Sequence, residues 1–277
     1  MPRIAGLRVE GLSIGGIETC IDLPELKVAF DIGRCPPEVV PRDTILFTHA
    51  HMDHMGGIVY HAATRGLRNM RPPTYVVPAV NAEAIGELFD AWSKLDRTRH
   101  RHRLVPLSPG EEHALPGGLV ARPFHSPHSA PCQGYGLWRR KERLRKVFRG
   151  KSQEEIRRLR VEQGLDVTEV HEWPEVAFCG DTKIDVVERE EVVRTARVLI
   201  LEVTFLDSRV SVADARAKGH VHLEEVAERA DLFRNEALLL THFSSRYRAD
   251  EIVRLIDQGL PDGLRERVTP LLAGHRR

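Results

Sequence analysis

The sequence predicts an α/β protein built in layers, of the broad α+β kind, and three observations carry this. Short apolar runs such as Lys27-Val28-Ala29-Phe30-Asp31-Ile32-Gly33 and Thr44-Ile45-Leu46-Phe47-Thr48 lack polar alternation, so they read as strands buried on both faces. In the later half, segments with helical apolar spacing alternate with such runs. Several strands lead directly into His or Asp, and in layered α/β folds ligands gather where strand ends give way to loops.

In chain order, Tyr75-Val76-Val77 is a third short strand, followed by a helix over 80–95 with Ile85, Leu88, Phe89 and Trp92 on one face. Glu175-Val176-Ala177-Phe178-Cys179 and Val198-Leu199-Ile200-Leu201 are further strands. A helix is expected over 223–233, a strand at Ala237-Leu238-Leu239-Leu240 and a helix over 249–258. Residues 139–174 are the least core-like segment, a basic arm or insertion with one helix at about 153–162. No repeat or low-complexity linker interrupts the chain. Its 277 residues suffice for a sizeable core and are expected to form one domain, 1–277, that carries the arm.

Composition narrows the function classes. Hydrophobic residues make up 42 % and charged residues 29 %, ordinary for a soluble globular protein. The opening Met1-Pro2-Arg3-Ile4-Ala5 contains no secretion-type apolar run, and no stretch approaches the roughly 20 apolar residues of a membrane helix. Cys20, Cys35, Cys132 and Cys179 are scattered without a C-x-x-C pair, which argues against a disulfide framework or a cysteine zinc site and for a reducing cytoplasm. The net charge of +1 gives no overall argument for a nucleic-acid partner. Its distribution does: residues 139–160 hold eleven Lys/Arg against three Glu. Arg97-Thr98-Arg99-His100-Arg101-His102-Arg103 adds four arginines. A charge run is ordinarily a solvated face, and gains meaning only if the chemistry calls for a polyanion.

The chemistry is concentrated in His49-Ala50-His51-Met52-Asp53-His54. Two imidazoles two residues apart at a strand end point the same way and can hold one metal ion; the adjacent Asp and His can hold a second. Imidazole and carboxylate donors suit zinc, and also manganese or iron. Paired metals serve phosphoester and amide hydrolysis, lowering the pKa of a bound water and offsetting charge on the attacked group. A pair of ions needs more donors. Asp181 in Gly180-Asp181-Thr182, His128 and His242 supply candidates after predicted strands, with His125 in reserve. The remaining His61, His100, His102, His113, His171 and His275 are expected to be surface or structural residues.

Taken together, these pieces resemble the tRNA 3′-processing endoribonucleases known as ribonuclease Z or tRNase Z, within the metallo-β-lactamase superfamily. The matching segments are Phe30-Asp31-Ile32-Gly33-Arg34-Cys35-Pro36, Thr48 to His54, His128 through Gly134-Tyr135, Gly180-Asp181-Thr182, Glu202-Val203-Thr204-Phe205-Leu206-Asp207, Gly219-His220-Val221-His222, and Thr241-His242-Phe243-Ser244-Ser245-Arg246-Tyr247. They are most similar to the short, plant-type branch. Gly15-Gly16-Ile17-Glu18-Thr19 stands where many bacterial members carry a longer loop, and the arm lacks the glycine–proline motif of the long bacterial arm.

The resemblance implies a four-layer αββα sandwich with two zinc ions per subunit. His49, His51 and His128 would hold the first ion and Asp53, His54 and His242 the second, with Asp181 between them. His128 is preferred to His125 for its family spacing to Gly134-Tyr135. Asp31 would accept a hydrogen bond from a ligand imidazole and fix its tautomer. Asp53 would also orient or deprotonate the attacking water, and a Glu202–His220 pair would protonate the leaving oxygen, with His222 able to exchange roles with His220. Ser244, Ser245, Arg246 and Tyr247 would contact the cleaved phosphate. The basic arm, including Arg143, Arg145, Lys146 and Arg149, would bind precursor tRNA by shape and charge rather than by sequence. A homodimer is implied, with one subunit's arm holding RNA that the other cleaves. A small-molecule phosphodiesterase or lactonase would use the same metals without a basic arm. A non-catalytic RNA-binding module would show broken ligands, whereas all seven stand in the sequence.

Overall fold

Alternation within short strands builds the layers. The computed structural model describes residues 3–276. Val28, Phe30, Leu46 and Val76 turn to one side of their sheet, where they meet Val176, Phe178, Val198, Ile200 and Leu239 of a second sheet. The rings of Phe30 and Phe178 lie 4.8 Å apart at the centre of this contact, a tilted aromatic pair contributing about 0.5–1.5 kcal/mol beyond its buried area. The intervening residues face outward. Ala29, Ile45, Tyr75 and Val77 pack under Ile58, Ala62, Ile85 and Phe89 of two helices. On the far side Ala177, Leu199, Leu201, Leu238 and Leu240 pack under Val186, Val193, Val226, Ile252 and Ile256. The result is the expected αββα sandwich, and burial on both faces explains the unbroken apolar runs.

Each large sheet has seven strands. The first runs in the order Phe243–Ser244, Glu10–Gly15, Glu18–Leu23, Val28–Phe30, Thr44–Leu46, Thr74–Pro78, Arg103–Leu107. The second runs Val268–Pro270, Ala237–Thr241, Val198–Glu202, Thr168–Phe178, Gln133–Leu144, Leu119–His125, His113–Leu115. In the first, Val28, Thr44, Thr74 and Arg103 are in parallel register; in the second, Val176, Val198 and Ala237 are. Parallel register sends successive strands out of one edge, so the residues that follow them converge.

The structure shortens or redraws several expected elements. The first apolar run is strand only over Val28–Phe30; Asp31 turns the chain in the left-handed region, at φ 50°. The expected helix over 80–95 is α-helical over Ala82–Asp96, and it buries Ile85 and Phe89 while Leu88 and Trp92 remain 43 % and 49 % exposed. Its apolar surface therefore spreads beyond the buried stripe. The helix over 223–233 stops at Glu228 and continues as a 3-10 turn over Ala230–Leu232. The arm differs most. Residues 139–144 and 168–174 are ladder partners in the Gln133–Leu144 and Thr168–Phe178 strands, with a register shift at Leu137/Trp138. Only the tip leaves the sheet, and it holds the Gln153–Val161 helix, started by a Ser152–Glu155 capping box and burying no residue. The arm is thus an overgrown hairpin rather than an irregular insertion.

Candidate metal centre

Strand ends deliver the polar groups. His49 and His51 follow Thr44–Leu46, His128 follows Leu119–His125, Asp181 follows Thr168–Phe178, and His242 follows Ala237–Thr241. Asp53 and His54 lie in the short helix Met52–Met55. Ligating atoms of His49, His51, His128 and Asp181 lie within 4.8 Å of one another, and so do those of Asp53, His54 and His242. Asp181 faces both groups. Its Oδ1 is 3.2 Å from His54 Nε2 and 3.4 Å from His242 Nε2, while Oδ2 is 3.8 Å from both His49 Nε2 and His128 Nε2. All seven expected ligands are therefore brought together, with one carboxylate oxygen turned to each side.

The chain leaves these atoms without internal partners. Nε2 of His49, His54 and His242 and Oδ1 of Asp181 are buried and make no hydrogen bond. An unpartnered buried polar atom costs about 1–3 kcal/mol, and four converging ones fit a cation that accepts their lone pairs.

The opposite edge of each ring is held. His54 Nδ1 donates to Asp31 Oδ2 at 2.8 Å. Asp31 also accepts from the Thr48 amide at 2.9 Å and the Thr48 hydroxyl at 2.8 Å. Because that hydroxyl is spent on Asp31, it accepts from His49 Nδ1 at 3.0 Å. The same device recurs across the site. The Thr204 hydroxyl donates to Glu202 Oε2 at 2.7 Å and accepts from His242 Nδ1 at 2.9 Å. His128 Nδ1 donates to the Gly219 carbonyl at 2.9 Å. In all four rings the proton sits on Nδ1 and the Nε2 lone pair faces inward.

Two glycines permit this closeness. A Cβ on Gly180 would stand 2.7 Å from the Thr48 Cβ, and one on Gly219 would stand 2.8 Å from His128 Nδ1. Both residues also have positive φ, 61° and 83°. His242 adopts φ 61° without being glycine, a conformation that bends its side chain off the strand axis into the site.

Electrostatics follow the geometry. Burial pushes His49 down to about 2, keeping it a neutral donor. Burial would raise Asp181, but His242 and His54 outweigh it and hold the carboxylate well below its usual range. Asp53 is held at about 2: burial opposes, and His242 and His54 prevail. Beside the cluster, His220 Nδ1 donates to Glu202 Oε1 at 2.8 Å. Burial pulls His220 down, yet the Glu202 carboxylate dominates and its pKa is pushed up to about 9.

A beta-lactamase superfamily domain matches residues 31–243. Over 98 % of its length the chain is 44 % identical to tRNase Z TRZ1 of Arabidopsis thaliana, covering 97 % of that protein. This chain belongs to the tRNase Z family. It is also 38 % identical to the chloroplastic tRNase Z TRZ2 of the same plant, over 97 % of the chain and 76 % of that protein. Among solved structures, the short form of human tRNase Z superposes with a TM-score of 0.62 at 18 % identity, covering 95 % of each chain. The metallo-beta-lactamase fold protein YhfI of Bacillus subtilis gives 0.63 at 14 % identity, covering 97 % of each. These two likenesses speak for the fold.

Within this tRNase Z family member, other expected residues fall into place or out of it. Glu202 is grouped with Asp181, His220 and His242 closely enough for a metal, which the sequence did not suggest. Its oxygens are already committed to the Thr182 amide, His220, and the Thr204 amide and hydroxyl. It is an anchor for His220, not a free ligand. His222 cannot exchange roles with His220: its Nδ1 accepts from the Glu224 amide at the start of a helix, and its Nε2 lies 3.2 Å from the Asp207 carbonyl. His125 points away and interacts with Glu190. His61 bonds Tyr75, His100 bonds Asp96, His102 stacks on Phe89, His171 bonds Glu169 and His275 bonds Tyr247. None of these, nor His113, joins the cluster.

Tyr247, expected beside the cleaved phosphate, is 1 % exposed; its hydroxyl accepts from the Leu206 amide and braces that loop. Arg246 is exposed, donates to Ser244 Oγ at 3.0 Å and lies over the Phe205 ring, which meets His220 edge-on. Ser244 is half-buried and Ser245 exposed. In the arm, Arg145 is tied to Asp166 at 2.6 Å, whereas Arg143, Lys146 and Arg149 are exposed. Thr48 and Thr204 are the functional residues that sequence reasoning passed over. Their only signal is adjacency to His49 and a two-residue offset from Glu202.

Proposed function

We propose that this protein is a zinc-dependent endoribonuclease that removes the 3′ trailer of precursor tRNA, leaving a 3′-hydroxyl on the tRNA and a 5′-phosphate on the trailer. The observation that supports this best is the Glu202-anchored His220 standing against seven convergent metal donors. His49, His51 and His128 would hold one ion and Asp53, His54 and His242 the other, with one oxygen of Asp181 for each. When bound, the ions supply Lewis acidity and a nucleophile drawn from water at neutral pH. Zinc suits the imidazole-rich donor set; manganese and iron share it.

The chain's own groups do the rest. Asp31, Thr48, Thr204 and the Gly219 carbonyl hold the four imidazoles by their outer edges. Asp53, the least buried carboxylate of the cluster, orients the attacking water. His220 gives its proton to the departing 3′-oxygen, and Glu202 stabilises the imidazolium before transfer. Arg246 neutralises phosphate charge at the rim.

The arm grows from the far end of the sheet. Gln133 begins its strand beside the site and Leu144 ends it eleven residues on, roughly 37 Å away at 3.4 Å per residue. That separation supports a homodimer in which one subunit's arm holds RNA cleaved by the other. Four buried free cysteines support a reducing, cytoplasmic setting; among the described residues no helix is long and apolar enough to cross a membrane.

Purified protein offered a pre-tRNA with a 3′ trailer, alongside bis-p-nitrophenyl phosphate and cyclic AMP, tests the reading. Trailer removal is expected. Turnover of the small esters alone would overturn it in favour of a small-molecule phosphodiesterase. Replacing Arg143, Lys146 and Arg149 by Ala should lower trailer removal at least about tenfold and spare the small esters; equal loss of both would make the arm structural. Arg145 is left intact in this test because it ties the arm to Asp166.

A further inference from the structure

The arginine run at 97–103 has no part in the metal centre or the arm, yet its geometry is specific. The segment leaves the Ala82–Asp96 helix through a left-handed turn at Arg97, at φ 56°, and then runs into the edge strand Arg103–Leu107. Alternate residues of an extended chain face opposite ways. His100 turns inward and bonds Asp96 at 2.7 Å, and His102 turns inward to stack on Phe89 with ring centroids 3.6 Å apart. Arg99, Arg101 and Arg103 are left facing outward, and Arg97 at the turn is exposed with them. The two histidines pin the segment, and the four arginines form a ladder on it.

The ladder edges a cavity of about 610 Å³ between the end of the Ile58–Leu67 helix and the start of the Thr74–Pro78 strand. Ala62, Met70, Pro72 and Pro73 line its apolar part, with Arg99 and Arg101 on its rim. Arg68 and Arg71, neighbours in sequence of the lining residues Asn69, Met70 and Pro72, are also exposed. Among the described residues, none of these six arginines forms an ion pair or a side-chain hydrogen bond. Two nearby carboxylates are engaged elsewhere: Asp43 by the buried Arg65, and Asp96 by His100. The arm's base differs, since Arg139 pairs with Glu175, and Arg140 with Glu172 and Glu112.

Topology places the ladder. Thr74 and Arg103 begin strands whose far ends point toward the metal donors, so the ladder lies at the opposite end of the sandwich. The arm hairpin leaves from that same end, because Leu144 and Thr168 are paired away from Phe178 and Asp181.

We propose that this arginine ladder and its cavity form a second binding site for RNA backbone phosphates, separate from the arm and contacting the same substrate. It rests on the pre-tRNA reading above. Unpaired guanidiniums held on a pinned backbone suit phosphodiester oxygens, and they do so without reading sequence.

The test uses the full chain with Arg99→Ala and Arg101→Ala together. A control double variant, Arg254→Ala with Arg265→Ala, removes equal charge from another surface. Dissociation constants for pre-tRNA are measured by filter binding between 0.05 and 0.4 M salt, with bis-p-nitrophenyl phosphate turnover alongside. The ladder variant should bind pre-tRNA at least about tenfold more weakly at 0.1 M salt, with a salt slope shallower by roughly 1.4–1.8. Small-ester turnover and the control variant should match wild type, and Arg99→Lys with Arg101→Lys should retain the slope. An unchanged constant and slope in the ladder variant would overturn the proposal, as would a parallel loss of small-ester turnover. Wild type that neither binds nor trims pre-tRNA would instead defeat the substrate reading beneath it.

Discussion

The two ends of this sandwich use charge in opposite ways. At the metal end, Asp31, Asp181, Glu202, His49, His54 and His242 are at most 3 % exposed, and each ring is held by a named partner on its outer edge. At the other end, arginines stand in solvent on the arm and on the 97–103 ladder, several with no partner among the described residues. Each task sets its own demand. Bond cleavage requires donors fixed to a fraction of an ångström, and burial fixes them. Holding a polyanion requires positive charge still free to replace counterions, and exposure keeps it so. Salt should therefore divide the two ends, weakening RNA binding while leaving small-ester turnover nearly constant.

Three substitutions test that contrast at the metal end. The largest effect is expected for Asp181→Ala, which removes both oxygens facing the two donor groups. Turnover of any ester should fall by roughly a thousandfold or more, and metal per chain measured after dialysis should drop. Full metal content with near-normal turnover would show that Asp181 does not join the two groups.

Glu202→Gln should come next. His220 is held at about 9 by Glu202, so the proton it donates is present at neutral pH and lost as pH rises through that value. Trailer removal should fall by about 10²-fold, and its alkaline limb should move to lower pH. Bis-p-nitrophenyl phosphate should lose much less, because p-nitrophenolate departs without a proton. The same pair stabilises the fold: with the folded pKa raised, its contribution is complete below the unfolded value near 6.5 and is lost as pH climbs through about 9. A pH–rate profile identical to wild type would remove His220 as the donor.

The smallest effect is expected for Thr204→Val, which breaks the relay from His242 to Glu202 without touching a donor atom. Metal affinity, measured by chelator competition, should weaken by about 10-fold, with Thr204→Ser restoring most of it. Equal affinity in Thr204→Val and wild type would show that the relay does not set the ring's position.

Part of this arrangement could be read directly from the sequence. His49 to His54 declared a metal site because six residues of local chain carry four donors, and local spacing survives folding. The apolar runs at Val28–Phe30 and Thr44–Leu46 declared buried strands for the same reason. His128, Asp181 and His242 could be read from their places after predicted strands only as candidates, and the resemblance gave them roles, since a single His or Asp after a strand has many uses. Leu88 and Trp92 misled because helical spacing marks an apolar face without saying whether anything covers it. Tyr247 misled because proximity in sequence to His242 does not show which way a side chain turns.

The layers, the donor chemistry of the centre and the location of the basic runs were written in the sequence, because all of them depend on residue type and short-range period. Tertiary structure decided the rest. It set one oxygen of Asp181 toward each donor group, tied His220 rather than His222 to Glu202, and sent the arm and the arginine ladder to the end opposite the metals. Those relations join residues as distant in sequence as His49 and Asp181 through strand register, and register is a property of the packed sheets rather than of any one segment.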